Sequence, residues 1–322
     1  MKFRTEIEIE PLPRRIDYGS RIMSIGSCFA ENMSHRLSQA KFRAELSPAG
    51  IVFNPASIAA AIEMFSSRRR ISADELLSNG DVWFHHDFHS SLSSTDRRSA
   101  AEAMQQAVDR GAEMLSRADW VIITLGTAWV YRLRTTGRIV ANCHKRPAAD
   151  FSREMLDCDT ATQLLDRLAE GALAGKNIIL TVSPVRHLGD GLQQNSLSKA
   201  TLRIAAQRCA DRHDNVVYFP SFEILNDDLR DYRFYADDLT HPSPMAVDYI
   251  WERFAEAALS PHAQQFMPRI RSVMTAAAHR PHNPSSAIYK DFCRRQLQII
   301  ESMPEINFDK EKAYFLSMLK IN

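Results

Sequence analysis

The sequence predicts an α/β protein: a three-layer α/β/α domain on a mainly parallel sheet, followed by a helical C-terminal extension. Short apolar stretches rich in Val, Ile and aromatics recur at Arg21–Ile25, Trp120–Leu125, Asn177–Val182 and Asn215–Phe219. Longer segments with apolar residues every three or four positions lie between them, at Ser57–Arg68, Ala100–Ser116, Ala161–Ala174 and Ser198–Arg212. Strands alternating with helices imply a parallel sheet covered on both faces, because each crossover lays a helix on the sheet. After Leu259 the strand pattern stops, and Gln264–His279 and Ala287–Met303 read as helices separated by the Pro-rich RPHNPSS. The division expected is therefore 1–260 for the α/β domain and 261–322 for an appended helical segment packed on it.

Each element has its own signal. The first strand, RIMSI, runs into a Gly26-Ser27-Cys28 turn, and a polar, helix-like segment leaves it. Two insertions, at about 80–95 and 129–145, break the rhythm. Asp81–Ser94 (DVWFHHDFHSSLSS) is polar, aromatic and histidine-rich. Trp129–Cys143 alternates around Thr136-Gly137 and reads as a hairpin. Both are expected to roof a site, since Trp83, Phe84, His89, Trp129 and Tyr131 are unusual decorations for a remote surface. Ligands of parallel sheets bind beyond the carboxyl ends of the strands, so the residues just after each strand are the ones to inspect.

Bulk properties exclude several classes. With 40 Lys plus Arg against 39 Asp plus Glu in 322 residues, the net charge of +1 gives no electrostatic case for nucleic acid. No apolar run approaches a membrane span, and the N-terminus lacks the apolar core of a signal peptide. The expectation is a cytoplasmic protein without a membrane partner. Five widely spaced cysteines with no CxxC pair argue against a disulfide framework and a cysteine-based zinc knuckle. His85 and His89 are four apart, but Glu is absent where HExxH needs it and the flanking residues favour a strand. No metal is expected. HLGDGLQQN lacks the third glycine of a dinucleotide loop, and no cofactor is expected either.

A side chain in the turn between the first strand and its helix faces the first free N–H groups of that helix. Such a position lowers a cysteine pKa and suits a nucleophile. The alternative is that Cys28 is a small buried hydrophobe and Ser27 an N-cap. After the last strand, YADDLTHPS sets Asp238 three residues before His241, where a carboxylate can accept the Nδ1–H bond and leave Nε2 as general base. Pro242 keeps the histidine out of a helix, and Ser243-Pro244 looks like the cap of the next one.

These blocks make the chain resemble the GSCFA family, whose signature stands here as Gly26–Ala30. The resemblance extends to GIVFNP (Gly50–Pro55), TLGTAWVYR (Thr124–Arg132), ANCHKRP (Ala141–Pro147), TVSPVRH (Thr181–His187) and Asp227–Ser243. That family is assigned to the SGNH/GDSL hydrolases, which implies a flavodoxin-like fold and a Gly-Asp-Ser nucleophile turn closed by Asp-x-x-His. Setting GSCFAEN on that pattern puts Cys28 on the nucleophile, with Ser27 as the choice if the register shifts by one. Asp238 and His241 match the closing motif. Gly50 matches a block II glycine of the oxyanion hole. Gly126 is present for the third block, but its asparagine is not, and Thr127, Asn54 or Asn142 are the substitutes. Asn142 and His144 after the hairpin, and Arg186 and His187 after a strand, are candidate substrate contacts, His187 also a rival base.

The implied activity is that of a hydrolase or acyltransferase acting on an O-acyl or acetyl ester, carbohydrate-borne among the options, or on a thioester. The alternative is a non-catalytic glycan- or protein-binding module that keeps the fold. The expected partner is a small-molecule or carbohydrate ester, with no prediction of oligomeric state.

Overall fold

The computed structural model describes residues 4–321. In chain order the elements are β1 (Arg21–Gly26), α1 (Cys28–Gln39), β2 (Arg43–Leu46), α2 (Pro55–Ser66), β3 (Leu77–Ser78), β4 (Trp83–Phe84), α3 (Arg97–Arg117) and β5 (Trp120–Leu125). Then follow β6 (Trp129–Leu133), β7 (Ile139–Val140), β8 (Phe151–Met155), α4 (Cys158–Glu170), β9 (Asn177–Val182), α5 (Gly191–Arg212) and β10 (Val216–Phe219). The chain closes with a short α6 (Ser221–Glu223), α7 (Pro244–Ala258), α8 (Pro261–Ala278), α9 (Ala287–Glu301) and α10 (Asp309–Leu319).

Five strands form the central sheet in the order β2-β1-β5-β9-β10, every pair parallel. Taken among themselves they run 2-1-3-4-5, a doubly wound order whose crevice opens at the carboxyl edge beside the first strand. Alternation along the strands builds two cores. Met23, Ile25, Val121, Ile123, Leu180 and Val182 face α2 to α5 on one side. Ile22, Trp120, Ile122 and Ile179 face α1, α7 and the C-terminal helices on the other. Strands buried on both faces explain why they read as continuous apolar runs in the sequence. The predicted three-layer α/β architecture is thus the observed one.

The four predicted strands and the helices between them are present. A fifth strand, β2, is not an apolar run at all. It is a four-residue edge strand, RAEL, with Arg43 and Glu45 exposed, and it pairs on one side only. Charged, short edges resist unwanted pairing, which is why hydrophobicity does not reveal them.

The hairpin turns at Thr136-Gly137 as expected, with β6 paired to β7, and β8 adds a third antiparallel strand.

The C-terminal helices pack into the α1/α7 core through Ile270, Val273, Cys293, Ile300 and Phe315. The third of them, α10, is fastened by Lys41 Nζ on Glu311 at 2.7 Å and over the Phe308 ring at 5.2 Å. Phe315 is fully buried. Its replacement by alanine is expected to lower unfolding free energy by about 3–5 kcal/mol, read as a fall in urea midpoint without loss of secondary structure at zero denaturant.

Among the described residues, no helix is long and apolar enough to cross a membrane.

Candidate active site

β1 ends on Gly26 at φ +146, and a Cβ there would stand 2.2 Å from the Thr124 carbonyl oxygen of β5. Only glycine lets the chain leave the sheet so tightly. Ser27 then caps α1: its hydroxyl accepts from Phe29 N–H at 3.3 Å and donates to Ser183 Oγ at 2.9 Å. Ser183 is the first residue past β9, so this bond ties the ends of two strands together. Buried and doubly engaged, Ser27 serves the turn.

Cys28 is the first residue of α1 and is half-buried. Burial pushes its thiol above the ordinary value, against the pull of the Cys28 and Phe29 N–H groups and of the Lys199 charge, while Glu31 adds to the rise. The sequence expectation of a lowered cysteine pKa is therefore corrected. Desolvation outweighs the helix terminus when the sulfur sits against apolar neighbours.

On the closing loop, Asp238 Oδ2 lies 2.6 Å from His241 Nδ1. Its other oxygen accepts the backbone N–H groups of Thr240 and His241 at 2.9 Å each. Those three bonds, the His241 N–H first, hold the Asp238 carboxyl at about 2. The carboxylate is thus charged at any working pH, and Nδ1 carries the proton that leaves Nε2 as an acceptor.

Leu239, within this loop, is held at φ +54. Arg186 fixes the loop to the end of β9. Its N–H donates to Thr240 O at 3.1 Å, its guanidinium to Leu239 O at 3.3 Å, and it lies 3.7 Å from the Tyr235 ring centre. The Asp238–His241 pair and Cys28 thus stand on one edge of one sheet. Among the described residues no hydrogen bond joins His241 to Cys28 or Ser27, and the reach expected between them is not closed in this structure.

The other predicted contacts have internal partners. Gly50 N–H donates to Ser47 O at 3.3 Å, and Gly126 N–H to Phe53 O at 2.7 Å. The Asn54 side chain caps α2 through Ser57, bonding its N–H at 2.8 Å and its hydroxyl at 2.9 Å. Thr127 Oγ1 meets Ser198 Oγ at 3.0 Å. Asn142 Oδ1 accepts from His144 N–H at 2.8 Å. These groups build the loops around the edge, whereas the Cys28 and Phe29 N–H groups of α1 act on the thiol.

His187 is half-buried with its ring 5.1 Å from that of Phe53. Burial first, then the Lys199 charge, lowers its pKa, so it is a neutral base beside the same lysine that Cys28 feels.

His144 is structural. Its Nε2–H is shared between the carbonyls of His85 at 3.0 Å and Phe88 at 3.1 Å, and its ring stacks on Phe84 at 4.3 Å. Burial holds it down at about 4. A histidine whose folded pKa is depressed adds a proton on unfolding, so its contribution is intact above about 6.5 and is lost as pH falls toward 4. His144→Asn tolerates the left-handed backbone at φ +50 and should flatten the decline of melting temperature between pH 6.5 and pH 4.

Both insertions stand at the carboxyl edge. His89 lies over Gly50, with its N–H on Ala49 O at 3.1 Å, just past β2. Trp129 is covered by Arg153 at 4.2 Å, and Arg153 pairs with Asp190 beyond His187. The two segments meet where Ala141 and Asn142 N–H groups donate to His86 O at 3.0 Å. His85 and His89 do not converge: His85 faces Asp87 and Glu75, whereas His89 caps a short turn at Ser90–Leu92.

Asp166, Cys209 and His213 do bring ligand-type atoms within 4.8 Å of one another, at the far ends of α4 and α5. There Asp166 is already held by His213 Nε2 at 2.9 Å and Arg212 at 2.5 Å. A hollow of about 510 Å³ between α1, α7 and α8, lined by Arg36, Trp251 and Met274, also lies away from the carboxyl edge.

One functional candidate escaped the sequence reading. Lys199 of α5 is fully buried, its Nζ donating to Gly126 O and Ser183 O at 2.7 Å each. Its signal was present: Lys199 occupies the helical phase of Leu202, Ala206 and Cys209, where a charge has no solvated side.

The model of the GSCFA family matches residues 21–254, and that of the C-terminal domain of GSCFA domain proteins matches residues 270–321. Comparison with curated proteins and with solved structures returns no match.

Proposed function

The chain belongs to the GSCFA family, and from that premise we propose that it is an SGNH-type hydrolase or acyltransferase working through a covalent acyl group on Cys28. One observation carries the reading. A cysteine at a helix N-terminus and an Asp238–His241 pair bonded at 2.6 Å occupy the same carboxyl edge of the sheet. Ser27 is the weaker candidate, because its hydroxyl is committed to Phe29 N–H and Ser183.

In the first half-reaction His241 Nε2 takes the thiol proton as sulfur attacks the acyl carbonyl. The oxyanion develops against the N–H groups of α1, which act in a partly dehydrated pocket. Collapse breaks the bond to the leaving alcohol or thiol, which receives the proton back from His241. The thioester is then attacked by water or an acceptor hydroxyl that His241 deprotonates, and the free thiol returns. The missing bond between His241 and sulfur is compatible with this order, since catalytic hydrogen bonds often tighten only when substrate is bound. Substrate is an O-acyl or acetyl ester, with carbohydrate esters and thioesters as the classes to try first.

The test is a panel of acetyl esters and thioesters combined with acyl trapping. Acid-stable acylation mapped to the Cys28 peptide supports the reading. Turnover with the acyl group on Ser27, or binding of glycans with no turnover on any ester, overturns it. His187 is the competing base, half-buried beside Phe53 and held neutral by burial and by the Lys199 charge. His187→Ala is expected to keep activity within about tenfold of wild type, against a loss of about 10³-fold or more for His241→Ala.

A further inference from the structure

We infer that Lys199 is the buried counter-charge of the Cys28 side chain, a positioning residue that favours the thiolate and holds the nucleophile turn in register. The inference deepens the reading of Cys28 as the reacting group and rests on it.

The geometry is a relay of four groups. Lys199 Nζ donates to Gly126 O, just past β5, and to Ser183 O, just past β9, both at 2.7 Å. Ser183 Oγ accepts from Ser27 Oγ at 2.9 Å, and Ser27 immediately precedes Cys28. The lysine therefore staples two central strand ends to the turn that carries the sulfur.

Donor counting gives the lysine a choice of state. A neutral amine has two N–H bonds, and the two carbonyls use both. An ammonium has a third N–H, and no third hydrogen-bond partner is present among the described residues. A full charge there stands 5.9 Å from the Phe222 ring centre, and Cys28 is the ionisable group whose charge acts on it. Burial lowers Lys199 to about 7 and raises the Cys28 thiol, while each opposes the other's shift. Thiol with amine and thiolate with ammonium are thus the two internally neutral arrangements. The two arrangements carry the same net charge; Lys199 acts on the sulfur through its charge, and in turnover the thiol proton leaves to His241 Nε2.

The surrounding charges do not replace this pairing. Glu31 on α1 opposes the thiolate. On the β9 side, the half-buried His187 has Asp190 and Arg153 near it, and its own proton is disfavoured by Lys199. An uncompensated ammonium buried so completely would cost far more than the two carbonyl bonds return, so without an anion at position 28 the lysine stays a neutral amine with both N–H groups bonded.

The test measures thiol ionisation, not turnover. Full-length protein is alkylated with iodoacetamide from pH 5.5 to 10, and modification of the Cys28 peptide is followed by mass spectrometry in wild type and Lys199→Met. The expected result is a midpoint at least about one pH unit higher in the variant, with a rate at pH 7.5 about tenfold lower. A profile within about half a unit of wild type, or shifted downward, overturns the inference.

If Lys199→Met fails to fold, the Cys28 side supplies the answer at pH 7. Cys28→Asp should melt above Cys28→Asn when an ammonium faces position 28, and an equal or lower melting temperature overturns it. A shifted profile in a protein that turns over no ester would leave this inference standing and remove the proposed function. An active enzyme with an unshifted profile would do the reverse.

Discussion

Cys28→Ala is expected to lower ester or thioester turnover by about 10⁴-fold or more, to the rate left by binding and N–H donors alone, and to abolish acyl trapping. The substitution removes the sulfur and little volume, so melting temperature should barely change; a protein that unfolds cannot be counted. Ser27→Ala provides the contrast. It removes the α1 cap and the bond to Ser183, which together cost about 1–2 kcal/mol of stability. Its turnover should fall about tenfold or less, because the group lost supports the turn and is not the attacking atom. Reversal of that order, with Ser27→Ala dead and Cys28→Ala mild, would transfer the nucleophile to the serine. His241→Ala should be severe in both cases. Asp238→Asn should be milder, since the Thr240 and His241 N–H groups still anchor the side-chain oxygen of residue 238. Steady-state kinetics on the best ester found, with acyl-peptide mapping, decide all four.

Gly26→Ala should be the most damaging single change to the fold. The added Cβ would meet Thr124 O at 2.2 Å, Thr124 N at 2.8 Å and Thr124 Cβ at 2.8 Å, at a backbone φ of +146. The obstacle is the backbone of β5 in the middle of the sheet, which cannot swing aside as a flexible side chain can. Overpacking and an unfavourable φ each cost about 1–3 kcal/mol, and together they consume much of a marginal stability of about 5–15 kcal/mol. The expected outcome is insoluble protein or a urea midpoint lowered by more than about 1 M. Gly137→Ala is the control. It also sits at positive φ, +70, but nothing lies within 4 Å of its Cβ. Its loss should be confined to backbone strain of about 1 kcal/mol. Equal stability of the two variants would show that the close approach to β5 is not what selects glycine at position 26.

The sequence disclosed the parts of this molecule that obey a period or a motif. β1, β5 and β9 are buried on both faces and β10 is at least half-buried along its length, so their apolar runs were unmistakable. Asp238 and His241 were legible because their pairing is local, three residues apart in one turn. What was hidden depends on three-dimensional placement. The edge strand β2 carries arginine and glutamate in a short alternating run, indistinguishable from a loop without its partner. Ser183 acts on Ser27 from 156 residues away. Lys199 is a charged residue within a helical pattern, and only its phase with Leu202, Ala206 and Cys209 points it inward. The oxyanion candidates have internal partners for a related reason. Glycines and asparagines after strands are as useful for capping α2 and shaping turns as for binding substrate, and Gly50, Asn54 and Gly126 here do the former.

The order of strands along the chain differs from their order across the sheet, and this has a consequence for synthesis. β1 is completed on one side by β2, which begins at Arg43 just after α1, but on the other only by β5, nearly 100 residues later. Cys28 emerges early, whereas the Asp238–His241 loop and the helices that bury the α1 face come from the final third of the chain. At about 5–20 residues per second, the cysteine waits roughly 10–40 s for its histidine. Until residue 199 is made the nascent chain holds a thiol with neither Lys199 nor His241, and until residue 241 it lacks the histidine. The Cys28 turn and the Asp238–His241 loop therefore come together only when the last third of the chain, which also supplies β10, has been made.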